Sequence, residues 1–219
     1  MYNGNESLIN DGTYLNQRIH DFWQWAFPDL TDNTVRGTFA EYIVKTALDL
    51  GGYEGNCQSN GWEPYDLAGP IIPALNRKAR IEVKCSGFVQ RWAKRHAEKD
   101  PRNTASFSIA PAKMPDEIGD FPDKAARQRN NDLYVFCVYT ATDHRANILD
   151  LSWWEFYVLP TQYIENHPQL YKQKTVTLKT LSGLGDNVCP KLTFNELCNK
   201  IVSVCNSIAS DQVHRFPST

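Results

Sequence analysis

The order of helical and strand-like segments along the chain most constrains its fold. Short segments rich in β-branched or aromatic residues, bounded by Pro, Gly, Asn or Asp, predict strands at residues 65–69, 79–85, 105–110, 132–141 and 154–160. Helical spacing of apolar residues predicts helices at 14–27, from 31–33 to Gly51, at 87–98 and at 193–209. This order predicts an α/β (mixed α+β) protein whose central mixed β-sheet is flanked by helices.

No linker divides the chain, and 219 residues fit one large domain. We therefore expect a single domain, residues 1–219, with its core at about 31–160 and a C-terminal extension of helix and strand at 161–219. Residues 111–131 contain three prolines and many charges. This composition predicts a long surface loop followed by a short helix.

The chain shows no sign of a membrane segment. Its longest apolar stretches, DLYVFCVYTA and WWEFYVLP, have the length of strands, whereas a spanning helix needs about 20 residues. The start MYNGNESLIND has neither the basic nor the apolar region of a signal peptide. We therefore expect a cytoplasmic protein with no membrane partner. The lack of a Gly-rich phosphate loop predicts no nucleotide cofactor.

The charge is unevenly distributed, although its net value is only −2. Residues 1–76 contain three Lys/Arg and ten Asp/Glu, residues 77–102 contain nine and three, and residues 103–219 contain eleven and twelve. A solvated helix face would normally mix the two signs. The concentration of positive charge at 77–102 favours a segment that faces phosphates, with a plain solvated face as the alternative.

The stretch RIEVKC combines a strand pattern with a pair of opposite charges. Side chains alternate between the two faces of a strand, so we expect Ile81, Val83 and Cys85 to face the core. Glu82 and Lys84 then lie side by side on the other face. A Glu-x-Lys tripeptide is too common to carry weight alone, and a surface salt bridge on an edge strand is the alternative interpretation.

Asp66 precedes Glu82 by sixteen residues. That gap suits two adjacent strands joined by a turn built on Pro70, Pro73 and Asn76, which would place Asp66 next to Glu82. Two converging carboxylates repel each other unless a cation lies between them. A small number of hard oxygen ligands favours Mg²⁺, with Mn²⁺ expected to substitute for it.

Glu41 lies within an otherwise apolar helical run. A charge in such surroundings needs a partner such as a metal, a base or solvent. The alternative is that Glu41 belongs to the exposed stripe of its helix and pairs with Lys45 at i+4.

The order of Glu41 on a helix, then Asp66, then the strand with Glu82, Val83 and Lys84 resembles the PD-(D/E)xK, or restriction endonuclease-like, nuclease superfamily. The resemblance implies a metal-dependent endonuclease that hydrolyses DNA phosphodiester bonds, such as a type II restriction enzyme or another defence nuclease. Asp66, Glu82 and the Val83 carbonyl would then be Mg²⁺ ligands. Lys84 would be the catalytic lysine, and Glu41 would assist the metal site.

The resemblance covers roughly residues 36–140, and residues 64–66 depart from the family's Pro-Asp by one inserted residue. Some branches of the family carry a glutamine on the following helix, a position that Gln90 would fill. The basic residues nearest to it, Arg91, Lys94 and Arg95, are the expected DNA contacts.

The sequence leaves three alternatives open. The chain could be a catalytically silent nucleic-acid-binding module or subunit of the same fold, although the intact Asp66, Glu82 and Lys84 argue against this. It could act on RNA or on branched DNA. Pairing of two chains into a homodimer also stays open.

Overall fold

The structure is a computed structural model and describes residues 2–53, 64–88, 101–113, 127–143 and 145–208. The helices and strands of these residues are, in chain order, β1 (Ser7–Asn10), β2 (Thr13–Arg18), α1 (Ile19–Ala26), α2 (Asn33–Leu50), β3 (Leu67–Ile72), β4 (Arg77–Gly87), α3 (Pro101–Thr104), β5 (Ser106–Ser108), β6 (Ala112–Lys113), β7 (Arg127–Gln128), β8 (Leu133–Tyr139), β9 (Trp154–Pro160), α4 (Thr161–Asn166), β10 (Thr175–Thr177), α5 (Leu178–Gly183) and α6 (Phe194–Ser207).

A mixed sheet lies at the centre of the described residues, with strand order β3-β4-β8-β9. Strands β3 and β4 are antiparallel, β4 and β8 are parallel, and β8 and β9 are antiparallel. All residues of β8 are buried, which explains the continuous apolar run of its sequence. The predicted mixed sheet is thus confirmed.

Both faces of this sheet are covered. On one face, α2 and α6 pack Ala40, Ile43, Leu197 and Ile201 against the sheet. On the other face, side chains from β5, β10, α4 and α5 form a second cluster with Phe136 of β8. The helices therefore flank the sheet as the sequence predicted. The second cluster covers part of the Phe136 face, and only the rest of that face is left to polar residues.

Helix α2 follows the sequence signals at both of its ends. Asp32 is the N-cap, and its side chain accepts hydrogen bonds from the backbone N–H groups of Thr34 and Val35. The chain leaves the helix at Gly51, and Gly52 adopts a positive φ of 80°.

The helix predicted at residues 14–27 is wrong in its first part. Residues up to Arg18 belong to a β-hairpin of β1 and β2, and the helix begins at Ile19. The turn between these strands is Asp11-Gly12, and both residues have positive φ. An Asp-Gly pair favours this two-residue hairpin turn, and it outweighs the helical spacing of the apolar residues that follow.

The other predicted elements agree with the structure to varying degrees. Strands β4 and β9 and helix α6 lie where they were predicted, β3 begins and ends later, and β5 is shorter. The short ladder of β6 and β7 occupies the ends of the predicted 111–131 loop. Most of the predicted 87–98 helix lies outside the described residues.

The elements that follow β9 pack on the same sheet. Strand β10 pairs with β5, and α6 contributes Leu197, Ile201 and Val204 to the core beneath α2. Among the described residues, no helix is both long enough and apolar enough to cross a membrane.

Candidate active site

The alternation predicted for strand β4 is present. Ile81 and Val83 are buried against α2 and α6, and Cys85 packs at the edge of the same core. Glu82 and Lys84 lie on the opposite face, where the Lys84 ammonium bonds to a Glu82 carboxylate oxygen. Their side chains are only 21% and 29% exposed, respectively. The pair is therefore half-buried, in contrast to the fully exposed pair of an edge strand.

Asp66 lies beside Glu82 because of the register of β3 and β4. Leu67 pairs with Ile81 in this antiparallel ladder, so the next position along it brings Asp66 opposite Glu82. The Asp66 N–H donates to the Ile81 carbonyl at 3.0 Å, and its Oδ2 accepts from the Val83 N–H at 2.7 Å. The turn that joins the two strands is a short helical turn at Pro73–Leu75, followed by Asn76 in the left-handed conformation. Pro73 and Asn76 lie in the turn as predicted, whereas Pro70 belongs to β3.

Glu41 reaches the same site from α2. This helix packs across β4 through Ala40, Ile43 and Val44, and Glu41 is half-buried beside them. Its carboxyl group interacts electrostatically with Asp66, Lys84 and Glu82. Lys45, at i+4 from Glu41, forms an ion pair with Asp49 at 2.5 Å.

The three carboxyl groups have raised pKa values. Burial raises the pKa of Glu41 to about 7, with a further contribution from the negative charge of Asp66. Burial also raises the pKa of Asp66 and that of Glu82, and the Asp66 charge adds to the effect at Glu82, while Lys84 opposes both shifts. The site therefore concentrates more negative charge than one ammonium group compensates.

The donor set fits a hard divalent cation by its chemistry. Among the described residues, no group of three or more His, Cys, Asp or Glu side chains is placed to hold a metal ion. Mg²⁺, however, keeps several waters and is commonly bound through only one or two carboxylates. Asp66 and Glu82 supply two such groups, and a cation between them would compensate the negative charge whose burial raises their pKa values. They are the residues that would hold it.

The predicted DNA contacts Gln90, Arg91, Lys94 and Arg95 lie outside the described residues. The described part of the basic segment shows that some of its charge serves the fold. Three of its cations make ion pairs within the chain: Arg77 with Asp132, Lys84 with Glu82, and Arg102 with Glu155. The number of cations left to face phosphates is therefore smaller than the sequence count suggests.

Tyr134 of β8 is a site neighbour that the sequence reasoning missed. It lies opposite Glu82 in the parallel register, and its ring stacks on Phe136 with centroids 5.5 Å apart. Burial raises the pKa of Tyr134, and the negative charge of Glu82 adds to this. To find Tyr134 from the sequence, one would have to know that β4 pairs with β8. The apolar run of β8 alone does not reveal this pairing.

Asp132 is a second residue that the sequence did not single out. Its fully buried carboxylate accepts two hydrogen bonds from the Arg77 guanidinium, at 2.7 and 2.8 Å, and one from the Arg80 N–H at 2.8 Å. These bonds fix the start of β4 against the start of β8. They thereby hold the strand on which Glu82 and Lys84 lie.

No protein-family model matches the chain, and a comparison with curated proteins gives no match. The geometry and chemistry of the site are therefore the basis for inferring its function.

Proposed function

We propose that the chain is a Mg²⁺-dependent endonuclease that hydrolyses phosphodiester bonds of DNA, with a PD-(D/E)xK, restriction endonuclease-like core. The observation that carries this proposal is the convergence of three carboxyl groups and one ammonium group. They come from α2, from the residue before β3 and from the outer face of β4. A role as a type II restriction enzyme or other defence nuclease follows from the resemblance of this pattern.

Each residue of the site would have its own role in this reaction. Asp66 and Glu82 would hold the cation, and the resemblance adds the Val83 carbonyl. When bound, Mg²⁺ would supply a Lewis acid for the phosphate and lower the pKa of the attacking water. The Val83 N–H fixes the Asp66 carboxylate by its hydrogen bond, so the ligand is held in place before the substrate arrives.

Lys84 has two states in this proposal. Without a cation, its ammonium bonds to Glu82. As a cation ligand, Glu82 would no longer need Lys84 as its partner, and Lys84 would turn toward the scissile phosphate. The ammonium would then stabilise the charge that develops on the phosphate oxygens, as a donor already positioned for the transition state.

Glu41 would act beside the ligands. Its pKa of about 7 means that the free protein holds a proton there in part of its molecules near neutral pH. Beside a cation held by Asp66 and Glu82, Glu41 would be in its charged form and would have lost this proton. The carboxylate could then accept a hydrogen bond from a water molecule of the site.

The direct test is incubation of the pure protein with plasmid DNA and Mg²⁺ or Mn²⁺. The proposal expects nicked or linear products, none in excess EDTA, and none with Asp66→Asn. Parallel reactions with linear duplex, a four-way junction and RNA identify the substrate. A protein that binds DNA but cuts none of these substrates would be the catalytically silent module instead.

A further inference from the structure

The N-terminal arm, residues 2–27, is separate from the core of the protein. Strands β1 and β2 pair with each other, and residues 4–6 fold back to accept hydrogen bonds from Ile19 and His20 at the start of α1. Among the described residues, the hydrogen bonds of the arm all close within the arm. Helix α1 has no buried residue, and β2 is exposed along its whole length.

The surface of this arm is unusually apolar for a segment in contact with water. Trp25 is 79% exposed and Tyr14 is 74% exposed. The other exposed large apolar residues of the arm are Tyr2, Leu8, Ile9, Leu15, Phe22, Trp23 and Phe27. A two-stranded hairpin and an eight-residue helix are marginal by themselves, so an arm of this kind gains stability by covering these side chains.

We infer that the arm is a dimerisation element, and that it packs against the same arm of a second copy of this chain. The first reason is area. A fully buried aromatic side chain removes roughly 150–250 Å² of its surface from water. Scaled by their exposed fractions, the aromatic side chains of the arm together expose about 500–900 Å². A stable interface needs roughly 800 Å² from each partner. The arm therefore offers, at its upper limit, about the area that one side of a dimer requires.

The second reason is the hairpin edge. The only charged residues of the hairpin are Asp11, which lies in the turn, and Arg18, the last residue of β2. Proteins usually protect an open strand edge with charged residues or proline. The unprotected edge of one hairpin can pair with the same edge of another about a two-fold axis, because an isologous contact needs only one self-complementary surface.

The charge of the arm disfavours the other partners. Residues 2–27 carry Glu6, Asp11 and Asp21 against Arg18 as the single Lys or Arg. A DNA backbone and an anionic lipid surface both attract basic segments. The exposed aromatics are therefore better explained by protein contact than by base stacking or membrane insertion. The inference stands on the arm alone and does not depend on the proposed nuclease activity.

The test is sedimentation of the full chain over a range of concentrations. The parent protein should form a dimer of two 25.0 kDa chains. Trp25→Glu on the helix and Ile9→Lys on the hairpin should each raise the dissociation constant by about thirtyfold or more, as expected for a residue central to an interface. Leu149→Glu, at a position that is 60% exposed outside the arm, is the matched control and should leave the dimer intact.

Circular dichroism and cooperative unfolding of both variants check that the core is unchanged. A parent chain that stays monomeric would overturn the inference. It would also be overturned if both arm variants dimerised as tightly as the parent, or if they lost DNA binding while the dimer persisted. None of these measurements requires cleavage, so a failure of the proposed function would not be mistaken for a failure of the dimer.

Discussion

The backbone N–H of Val83 donates a 2.7 Å hydrogen bond to the Asp66 carboxylate. Strand β3 begins at Leu67, so the Val83 N–H of β4 has no backbone carbonyl of β3 opposite it. The Asp66 side chain accepts its hydrogen bond instead. Among the described residues, the second Asp66 oxygen accepts no hydrogen bond. The contact thus orients the Asp66 carboxylate relative to β4.

Lys84→Ala should abolish cutting while DNA binding persists. Loss of a charge-stabilising donor should cost about 3 kcal/mol in the transition state, or roughly a hundredfold in rate. Lys78→Ala is the matched control, since Lys78 is an exposed lysine on the same face of β4, and it should cut at nearly the parent rate. Single-turnover cleavage gives the rates, and binding in Ca²⁺ checks substrate affinity. A Lys84→Ala protein that cuts as fast as the Lys78→Ala protein would reduce Lys84 to a salt-bridge partner.

Asp66→Asn and Glu82→Gln should remove the response of the protein to Mg²⁺. A cation that binds only the folded state raises the free energy of unfolding, so Mg²⁺ should raise the melting temperature of the parent and leave both variants unchanged. Asp186→Asn, at an exposed position, should respond like the parent. Excess EDTA should stop cleavage, and Ca²⁺ should permit binding with little cutting. Equal responses of Asp66→Asn and the parent would place the metal elsewhere.

Glu41→Gln should stabilise the metal-free protein at neutral and alkaline pH. The pKa of Glu41 is raised from 4.5 to about 7 on folding, so the folded state favours the protonated form. Stability from this group is fully present below the unfolded pKa and is lost as the pH rises to about 7.

The glutamine variant, which cannot ionise, should be more stable than the parent by on the order of 1–3 kcal/mol at about pH 8, and equally stable at about pH 4. Denaturant unfolding in EDTA at both pH values measures the difference. A variant less stable than the parent at the higher pH would show that the Glu41 carboxylate has a favourable partner.

Arg129→Ala should destabilise the fold strongly. This guanidinium is 2% exposed, bonds to Glu165 at 2.6 Å and donates to the Ile109 carbonyl at 2.8 Å. Its removal leaves a carboxylate and buried carbonyl groups without their donor, at a cost of about 3–5 kcal/mol. Arg145→Ala, which removes an exposed ion pair with Asp143, should leave the unfolding midpoint unchanged. Equal midpoints for the two variants would contradict the structural role of Arg129.

Replacing Arg91, Lys94 and Arg95 together by alanine should weaken binding to all DNA sequences alike. Fewer phosphate contacts release fewer counterions, so the dependence of the binding constant on salt should become shallower. Arg145→Ala serves again as the control, since it removes one charge away from the basic segment. A triple variant with the parent's salt dependence would mean that the segment faces solvent or another subunit.

The sequence predicted the features that depend on neighbouring residues. The period of two in β4 placed Glu82 and Lys84 on one face, and the Asp32 cap and the glycines at 51–52 gave the ends of α2. It failed at the hairpin of β1 and β2, where two local signals competed. The Asp-Gly turn outweighed the helical spacing of apolar residues, which serves no core in this arm.

Contacts between distant residues could not be predicted from local patterns. The pairs Arg77–Asp132 and Arg102–Glu155 join residues more than fifty positions apart, and a count of charges treats all of these residues as available to a ligand. The second core cluster, which partly covers the sheet face of Glu82, could not be predicted for the same reason. Its residues in β5, β10 and α5 are distant from β4 in the sequence and reach this face only in the folded protein.

Strand β4 assigns packing and proposed chemistry to alternate positions. Ile81 and Val83 hold the strand in the core, and Glu82 and Lys84 between them make no contribution to that core. The two properties can therefore change independently by single substitutions. Under the proposed function, one replacement at Glu82 or Lys84 would leave a folded protein that binds DNA without cutting it, and such a variant would suit the trapping of complexes.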